Sequence, residues 1–560
     1  MGEFILKNVT FLDVQKKQFI KGNIYINNGK ICSINGAMPS VKEIDMEGKY
    51  LVPGFIDGHI HLESSIISPE EFSKIVSLRG TSAVVIDPHE IANVKGIDGI
   101  KWMLNKTNNL PIEVYMMIPS CVPATPFDES AYTLTSDDIN RCFDLDNNRI
   151  LGLAEMMNYP GVIYRDPEVI KKIAIAKARK KLVDGHAPML SGSDLKKYIA
   201  AGIMSDHECS TYEEAVEKLE TARSLNQEYY IMIREGTAAK NLEKLSPLMM
   251  NKDYYDDCMF VTDDKHPEEV FNVGHIDNSI RKAIRLGVKP EVAYTVASYN
   301  AAKYFRLNNL GSIEVGKDAS FVILDDVNTC SINQVYFKGE VLTEEKVRTW
   351  PKNTVSSELE ESVRHAINMD IVTEDRLDSG VLPIIELVPG EIITKNGGFS
   401  DGYDLDNDII KVVVIESHRN TNHIGIAYLK GMGLKEGAVG TTVAHDSHYM
   451  ILAGTNDSDI AKAANELRNM QGGKIVVKNG EVLGKLGLPI ANLMTDEDPK
   501  VVIKKMQHLK DSVKVNDGID PFMNLSFVSL AVIGDIRLLP GGAFDVTKWN
   551  FIEKQLIKKR

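Results

Sequence analysis

The chain has 560 residues, and at about 150 residues per domain this length predicts roughly two to four units. Hydrophobic residues make up 43% and charged residues 25%, which is typical of globular proteins and excludes a disordered or collagen-like chain. The net charge of −14 leaves no basic stripe that would bind a nucleic acid. We therefore expect a multidomain globular protein that does not bind nucleic acid.

The sequence shows neither a membrane segment nor an export signal. No apolar run approaches the roughly 20 residues of a membrane span. Residues 1–17 alternate apolar and polar side chains and lack the apolar block of a signal peptide. The six cysteines are scattered without a CxxC pair, which is typical of a reducing compartment. We therefore expect a cytoplasmic protein without a membrane partner.

Two β-rich segments flank the centre of the chain. Residues 1–52 contain short alternating strands, and Asn28-Gly29 is typical of a hairpin turn. Similar strands return in residues 307–350, where Lys338-Gly339 occupies a second tight turn. If the two flanks pair with each other, they form one small composite β-domain that the central region interrupts.

Between these flanks, residues 53–306 alternate short apolar runs with helical patterns. Residues 69–80 and 212–226 both read as helices with acidic first turns. Strand–helix alternation over this length predicts βαβ units around a parallel sheet. The predicted fold class is α/β, and a (β/α)8 TIM-like barrel is the leading candidate.

A third unit is expected at the C-terminal end of the chain. The polar segment 349–362 contains Pro351 and has the composition of a linker. Strands such as IIKVVVIES and GKIVVKNGEV follow it, together with the helical pattern SDIAKAANELRNM. The sequence therefore predicts an additional α+β domain over residues 351–560.

The first chemical signal is a pair of histidines, His59 and His61, at the start of the central region. Residues two apart on a strand point to the same side, so both imidazoles would aim at one point. Imidazole is the commonest protein ligand for metals. We favour a metal site over the alternative of two polar residues at a strand end.

Four more candidates follow in order, each at the carboxyl end of an apolar run, where barrel enzymes keep their catalytic groups. They are Glu155, His186, His207 and Asp263. Each one alone has an ordinary explanation, such as a hydrogen-bonded loop histidine or a helix cap. The ordered set of His-x-His, Glu, His, His and Asp is far more specific than any single member.

This ordered set resembles the amidohydrolase superfamily of metal-dependent hydrolases. The resemblance implies a (β/α)8 barrel with a small flanking β-domain, and one or two divalent metals held by the six residues. Glu155 stands at the fourth-strand position, where some members have a carbamylated lysine, so no lysine carbamylation is implied.

Longer motifs narrow the resemblance to the bacterial and archaeal adenine deaminases. Residues 85–96 (VIDPHEIANVKG) resemble that family's second-strand signature, and residues 55–65 and 261–265 fit its first and eighth strands. Residues 443–448 resemble its C-terminal domain, although Tyr449 departs from the usual Asn. The resemblance implies hydrolytic deamination of adenine to hypoxanthine and ammonia, in purine salvage, by a homodimer.

Deamination needs a nucleophile at C6 and protonation of the ring and the leaving ammonia. A divalent metal makes hydroxide available near neutral pH, and Asp263 is expected to accept and pass on a proton. Glu90 and Glu155 are the candidates for a second acid, and Glu155 alternatively bridges two metals. His89 and Glu90 are expected to bind substrate, although Glu90 also fits a helix first turn. The ligand set suits Mn²⁺, which we favour, as well as Fe²⁺ or Zn²⁺.

The remaining histidines carry weaker expectations. His445 and His448 are possible accessory site residues that share a helix face or lie in a loop, and a surface or interdomain pair is an equal alternative. His266 and His275 are expected near the rim of the site. The others are read as structural or exposed: His365, His418, His423 and His508.

Two other functional classes stay open beside the deaminase. A cyclic amidase or an amino-sugar deacetylase would use the same scaffold, but such enzymes lack the signature at residues 85–96 and the long third unit. A non-catalytic scaffold protein would have lost metal ligands, whereas all six are present here.

Overall fold

The computed structural model describes residues 2–36, 39–237 and 239–552. Met1 and residues 553–560, which the predicted domains include, lie outside the described residues. The architecture is mixed α/β, as predicted. Within the described ranges, no helix combines the length and the apolar character needed to cross a membrane.

The N-terminal flank forms five strands, because its apolar and polar residues alternate and leave one face to pack inward. Their bounds are β1 Phe4–Asp13, β2 Gln18–Asn27, β3 Lys30–Ile34, β4 Lys42–Asp45 and β5 Tyr50–Pro53. Strand β1 pairs antiparallel with β2, and β2 pairs antiparallel with β3. Strands β4 and β5 both pair parallel with β1.

The described part of the central region contains eight parallel strands whose residues are almost all buried, as expected for strands covered on both faces. The strands are β6 Phe55–Ile60, β7 Thr81–Ile86, β8 Glu113–Ile118, β9 Ile150–Met156, β10 Leu182–Gly185, β11 Ser205–Asp206, β12 Tyr230–Arg234 and β13 Cys258–Val261. Strands β6 to β10 pair in order, and so do β11 to β13.

Backbone hydrogen bonds connect these two groups of strands at both edges. Met204 N donates to Val183 O at 2.9 Å, between β10 and β11. At the other edge Asp263 N donates to His59 O at 2.9 Å, beyond the end of β13. Strand β13 therefore lies next to β6. The residues that follow these two strands lie at the same end of the structure.

Helices connect the central strands. Their bounds are α1 Pro69–Leu78, α2 His89–Lys106, α3 Ser136–Cys142, α4 Tyr159–Ile163, α5 Pro167–Ala178, α6 Gly192–Ala200, α7 Tyr212–Ser224, α8 Leu242–Met250, α9 Pro267–Asn272, α10 Ile276–Arg285, α11 Pro290–Val296 and α12 Tyr299–Tyr304. The predicted helices at 69–80 and 212–226 are confirmed but end two residues early. Gly80 (φ 84°) and Asn226 (φ 53°) adopt left-handed backbone there, which terminates a helix.

The chain then returns to the first sheet. Strands β14 Phe321–Asp326, β15 Ser331–Phe337 and β16 Glu340–Leu342 extend it, because β14 pairs antiparallel with β5. Lys30 also bridges to Asp318 across the two flanks. One eight-stranded sheet therefore contains strands from both sides of the central region.

The segment predicted as a linker is partly helical. Helix α13 spans Glu344–Arg348 and α14 spans Ser357–Arg364. Ser356 starts α14, since its side chain accepts a hydrogen bond from Leu359 N. Trp102 on α2 donates to Glu360 Oε2 at 2.9 Å, so α14 packs on the central region. Residues 349–362 are therefore polar because part of the segment forms an exposed helix, and not only because it is a connecting loop.

The C-terminal unit is built on a second eight-stranded sheet. Its strands are β17 Leu382–Leu387, β18 Thr394–Ser400, β19 Ile409–Ile415, β20 Ile424–Lys430, β21 Ala438–Thr441, β22 Met450–Gly454, β23 Gly473–Lys478 and β24 Glu481–Gly487, and three more form a small sheet, β25 Ile536–Leu539, β26 Gly542–Asp545 and β27 Asn550–Phe551. Helices α15 Asp457–Asn469, α16 Pro499–Asp511 and α17 Met523–Ser526 complete it.

Candidate active site

The six predicted ligands lie at the carboxyl ends of five central strands. His59 belongs to β6 and His61 follows it, Glu155 belongs to β9, and the others directly follow β10, β11 and β13 (His186, His207 and Asp263). Five of them are at most 6% exposed. Asp263 adopts a left-handed backbone (φ 58°), which Asp tolerates better than most residues.

Asp263 and the first-strand histidines form one half of the cluster. Asp263 Oδ1 lies 3.3 Å from His59 Nε2 and 3.0 Å from His61 Nε2. The imidazole rings of His59 and His61 have centroids 4.8 Å apart. The two-residue spacing therefore does bring both imidazoles to one carboxylate.

Glu155 connects this half to the other histidines. Its Oε1 lies 3.3 Å from His61 Nε2, while its Oε2 lies 2.7 Å from His186 Nδ1 and 3.2 Å from His207 Nε2. The two oxygens of one carboxylate thus face two separate groups of imidazoles. Each oxygen could therefore contribute to a different group of metal ligands.

Both carboxylates are ionised in this environment. Burial alone would raise the pKa of Glu155, but hydrogen bonds from His186, His207 and His61 hold it well below its usual range. Burial also opposes ionisation of Asp263, and Arg234 together with the first-strand histidines outweighs it and lowers that pKa strongly. Burial alone would lower the pKa of His59, His61 and His186, but without a cation the same carboxylates raise it. A divalent cation would take the place of the protons that these imidazoles then carry.

The orientation of the rings fits a metal centre. When the His61 ring is neutral, its Nδ1–H donates to Asp87 O at 3.1 Å and the lone pair is on Nε2, the atom that faces the two carboxylates. His59 Nε2 is buried and, among the described residues, has no hydrogen-bond partner. His, Glu and Asp ligands suit divalent transition metals. The residues present therefore fit the divalent metal that the superfamily implies.

A buried network fixes the first strand against the last one. Asp57 accepts hydrogen bonds from Thr262 N at 3.1 Å and from Thr262 Oγ1 at 2.5 Å. His275 Nε2 lies 2.9 Å from the same carboxylate, and its Nδ1 lies 2.9 Å from Thr81 Oγ1. The expectation that His275 lies at the rim is therefore wrong, because it is completely buried behind the strands. His266 begins α9 and does not line the cavity either.

The second strand contributes His89 and Glu90, which begin α2 directly after β7. His89 Nδ1 lies 3.5 Å from Glu155 Oε1 and 3.4 Å from Asp87 Oδ2. Glu90 is completely buried, and Ser64 Oγ donates to its Oε1 at 3.1 Å. Its Oε2 has no hydrogen-bond partner within the part of the chain that the structure describes. Glu90 is thus a first-turn residue of α2 that also lines the cavity, and its part in the reaction stays a prediction.

His445 and His448 lie in the loop between β21 and β22, not on a helix, and both face Glu90. His445 Nδ1 is 3.1 Å from Glu90 Oε1. His448 Nδ1 accepts a hydrogen bond from Ala444 N at 3.2 Å, so its Nε2, 4.0 Å from Glu90 Oε2, carries the proton. The histidine pair is therefore buried beside the cluster and is not a surface pair.

A cavity of about 220 Å³ connects these groups. The strand ends line one part of it, including His61, Glu155 and Asp263. Residues of the C-terminal unit line another part, including His445 and Asp446. The structure thus brings the strand-end cluster and the C-terminal unit to one enclosed space.

Two charged residues of the site were not predicted from the sequence. Arg234 ends β12, and its Nη1 lies 2.8 Å from Asp263 Oδ2. The same guanidinium pairs with Glu208, whose Oε1 is 3.5 Å from His207 Nε2. Arg234 follows the apolar run YIMI, so the strand-end rule that selected Glu155 would also have selected it.

The chain is similar to two known families and to solved structures. A model of the amidohydrolase family matches residues 50–342, and a model of the adenine deaminase C-terminal domain matches residues 388–550. A dihydroorotase crystal structure aligns with 61% of this chain and 98% of its own at 17% identity and a TM-score of 0.45.

Two curated relatives match over nearly their whole length. The adenine deaminase of Clostridium acetobutylicum is 40% identical, covering 98% of this chain and 97% of the relative. The adenine deaminase of Desulfatibacillum aliphaticivorans is 38% identical, covering 98% and 96%. With the family models matched in the same order along the chain, this protein belongs to the adenine deaminase family of metal-dependent amidohydrolases.

Proposed function

We propose that this protein hydrolyses the exocyclic amine of adenine and releases hypoxanthine and ammonia, a reaction of purine salvage. The observation that carries the proposal is the convergence of Glu90 and five of the six strand-end ligands on one cavity of about 220 Å³. The sixth ligand, His59, lies 3.3 Å from Asp263. The names and full-length similarity of the relatives supply the substrate. A cavity of this size suits a free bicyclic base, since the pockets that bind drug-sized ligands measure about 300–1,000 Å³.

We further propose that the eight central strands close into a single (β/α)8 barrel over residues 53–306. The hydrogen bonds at both edges of the strand groups support closure, and catalytic residues at the carboxyl ends of the strands are typical of such barrels. Residues 1–52 and 307–350 would then form a composite β-domain, supported by their shared sheet. Residues 351–560 would form the C-terminal domain.

The metal centre proposed here is binuclear. His59, His61 and Asp263 would hold one cation, while His186 and His207 would hold the other, with Glu155 between them. Mn²⁺ is the favoured metal, and Fe²⁺ or Zn²⁺ suit the same ligands. When bound, the cation lowers the pKa of a water so that hydroxide forms near neutral pH.

Asp263 is the proposed proton acceptor for the attacking water. Its Oδ1 faces the first-strand histidines, and Arg234 holds its Oδ2 at 2.8 Å, so the carboxylate is fixed in orientation. It takes one proton from the water as the oxygen bonds to C6, and it returns that proton to the amine that leaves as ammonia. A positioned acid–base group of this kind contributes typically about 10²–10⁴-fold to a rate.

Glu90 and His89 are the proposed substrate contacts. Burial alone would raise the pKa of Glu90, but His445 and His448 hold it below its ordinary range, so Glu90 enters the reaction ionised. Its free Oε2 is then a hydrogen-bond acceptor for a ring N–H, and it stabilises the ring nitrogen that gains the second proton of the water. Glu155 has both oxygens facing histidines, so we assign it to holding metal and not to donating a proton.

The protein is further proposed to be a cytoplasmic homodimer. All six cysteines carry free thiols, which fits a reducing compartment. The dimer rests on family membership alone, and sedimentation of the purified protein tests it. The cyclic amidase and deacetylase alternatives gain no support from a particular contact of this site.

The function is tested with a panel of purines and pyrimidines, in which deamination is followed by the change in ultraviolet absorbance and by released ammonia. Adenine is expected to be the preferred substrate, with one ammonia formed per hypoxanthine. Asp263→Asn provides the background that a contaminating enzyme would leave. Turnover of a cyclic amide without ammonia release from adenine would overturn the proposal.

A further inference from the structure

Five apolar side chains of the C-terminal unit line the active-site cavity on the part that the strand ends leave open. They come from two separate segments, one before β18 and one between α17 and β25, and we call them the lip: Ile392, Phe527, Leu530, Val532 and Ile533. Val532 is 40% exposed and stands at the mouth, whereas Phe527 is only 7% exposed. The lip thus contains both buried and exposed apolar side chains of one cavity.

A buried arginine holds the two lip segments together. Arg537, on β25, is completely buried, and its guanidinium donates to three backbone carbonyls. The acceptors are Ile533 O at 2.6 Å, Phe527 O at 2.7 Å and Ile392 O at 3.0 Å. All three acceptors belong to lip residues. Arg537 therefore fixes the distance between the two segments from behind, although it does not line the cavity itself.

The lip is also in contact with the polar wall of the site. The Phe527 ring stacks on His445, with centroids 4.7 Å apart and an interplanar angle of 20°. His445 N donates to Ser526 O at 2.9 Å, next to Phe527. Because His445 pairs with Glu90, the apolar wall is aligned with the carboxylate proposed to hold the base.

We propose that the lip makes this enzyme selective for the free base over purines substituted at N9, and that Arg537 is the positioning residue that keeps it closed. The proposal rests on the proposed adenine deaminase function. When C6 faces the strand-end cluster, the five-membered ring of the purine points away from it and toward the lip. A substituent on N9 would then have to displace apolar side chains that the Arg537 contacts hold in place.

The test measures 9-methyladenine and adenosine as competitive inhibitors of adenine turnover, so that neither compound needs to react. The variant Leu530→Ala/Val532→Ala removes apolar volume at the mouth and leaves the metal cluster and Glu90 untouched. Each methylene in an apolar pocket is worth about 10–200-fold in discrimination, so we expect the inhibition constants for both compounds to fall by at least about tenfold. The KM for adenine should rise, with kcat little changed.

Val501→Ala is the matched control, since Val501 lies on α16, is 43% exposed and does not line the cavity. Its inhibition constants should equal those of the unmodified enzyme. Unchanged inhibition constants in the double variant, with normal adenine turnover, would contradict the selectivity proposed for the lip. The proposed adenine deaminase function would not be affected by that result. Absence of ammonia release from adenine in the unmodified enzyme would refute the proposed function and the lip with it.

Arg537→Met tests the positioning role. Loss of the three carbonyl contacts should raise the KM for adenine and lower the inhibition constant of 9-methyladenine, while kcat and metal content change little. Arg537→Lys keeps a cation that can reach at least one carbonyl and should restore part of the selectivity. A folded Arg537→Met enzyme with unaltered KM and inhibition constants would show that Arg537 is only structural. If that variant does not fold, the double lip variant still decides the proposal.

Discussion

Glu90 Oε1 lies 3.1 Å from His445 Nδ1, so a carboxylate at the end of the second central strand is paired with an imidazole of the C-terminal unit. Ser64 Oγ contacts the same oxygen from the first-strand side at 3.1 Å. The free Oε2 is thereby left as the group that a ligand can engage. The catalytic site is consequently assembled from both halves of the chain, and neither half alone orients Glu90.

Glu90→Gln is expected to lower kcat by about 10²–10⁴-fold, because an amide cannot be ionised and cannot stabilise a protonated ring nitrogen as a carboxylate does. Metal content and melting temperature should stay close to those of the unmodified enzyme. Glu213→Gln is the matched control, since Glu213 also occupies a helix first turn, on α7, but is exposed. Steady-state kinetics and metal analysis on both variants provide the measurement.

Normal kcat in Glu90→Gln would return Glu90 to a purely helix-starting role. His445→Ala gives a further check, because it removes the partner but leaves the carboxylate. His445→Ala should reduce kcat less than Glu90→Gln does. The double variant should have a kcat close to that of Glu90→Gln alone, as expected for residues in one network.

Removal of metal should abolish turnover and also destabilise the enzyme. Without a cation, the buried histidines beside Glu155 and Asp263 must carry protons in its place. A ligand that binds only the folded state stabilises that state, so its loss lowers stability. Dialysis against a chelator, followed by metal analysis, activity measurement and thermal unfolding, tests this. Mn²⁺ is expected to restore the highest kcat, and two equivalents should bind per chain. Full activity in metal-depleted protein would contradict the metal site, whereas higher activity with Zn²⁺ would contradict only the preference for Mn²⁺.

The sequence was most informative where local geometry and chemistry coincide. The alternation of side chains along a strand sufficed to bring His59 and His61 to one point, and the strand-end rule selected residues that the structure places within hydrogen-bond distance of one another. The mixed α/β architecture and the family are confirmed. The metal and catalytic roles of these residues stay predictions, and the experiments described here address them.

The lip could not be predicted in the same way. Ile392 and Phe527 are far apart in sequence, and they meet because Arg537 donates to the carbonyls of both. Backbone carbonyls leave no pattern in the residue types. His275 was misplaced for a similar reason, since its contact with Asp57 depends on how the last strand lies beside the first one.

The Asp520–Lys510 pair should make stability depend on pH. Lys510 Nζ lies 2.8 Å from Asp520 Oδ2 and 3.1 Å from Glu268 Oε1 on α9, so it joins the C-terminal and central units. Burial alone would raise the pKa of Asp520, but Lys510 lowers it from 3.8 to about 2. Because the folded pKa is the lower one, the pair stabilises the protein above about pH 4, and this contribution is lost as the pH falls toward 2.

Asp520→Asn should therefore lower the free energy of unfolding by about 2 kcal/mol at pH 7 and by much less at pH 3. Chemical denaturation of both proteins at the two pH values measures the difference. Asp144→Asn, which removes the exposed partner of Arg179, is the control and should show no comparable change. An equal destabilisation by Asp520→Asn at both pH values would show that packing, and not the ionised pair, is responsible.

Asp263→Asn separates proton transfer from metal binding. The amide occupies nearly the same volume and keeps an oxygen that can face His59 and His61, but it cannot take a proton from water. Arg234 retains Glu208 as a partner, so the loss of charge at residue 263 does not leave the guanidinium unpaired. We expect kcat to fall by about 10²–10⁴-fold while the chain stays folded and retains metal.

The matched control for this change is Asp277→Asn. Asp277 is also buried and also pairs with an arginine, Arg281, at 2.8 Å, but it lies on α10 outside the cavity. This variant should lose stability and keep its kcat, since it removes the ion pairs with Arg281 and Arg79 and changes none of the predicted ligands. Turnover, metal content and melting temperature are measured on both variants. A folded, metal-loaded Asp263→Asn enzyme with near-normal kcat would mean that another group accepts the proton of the attacking water, and Glu90 would then be a carboxylate to examine because it also lines the cavity.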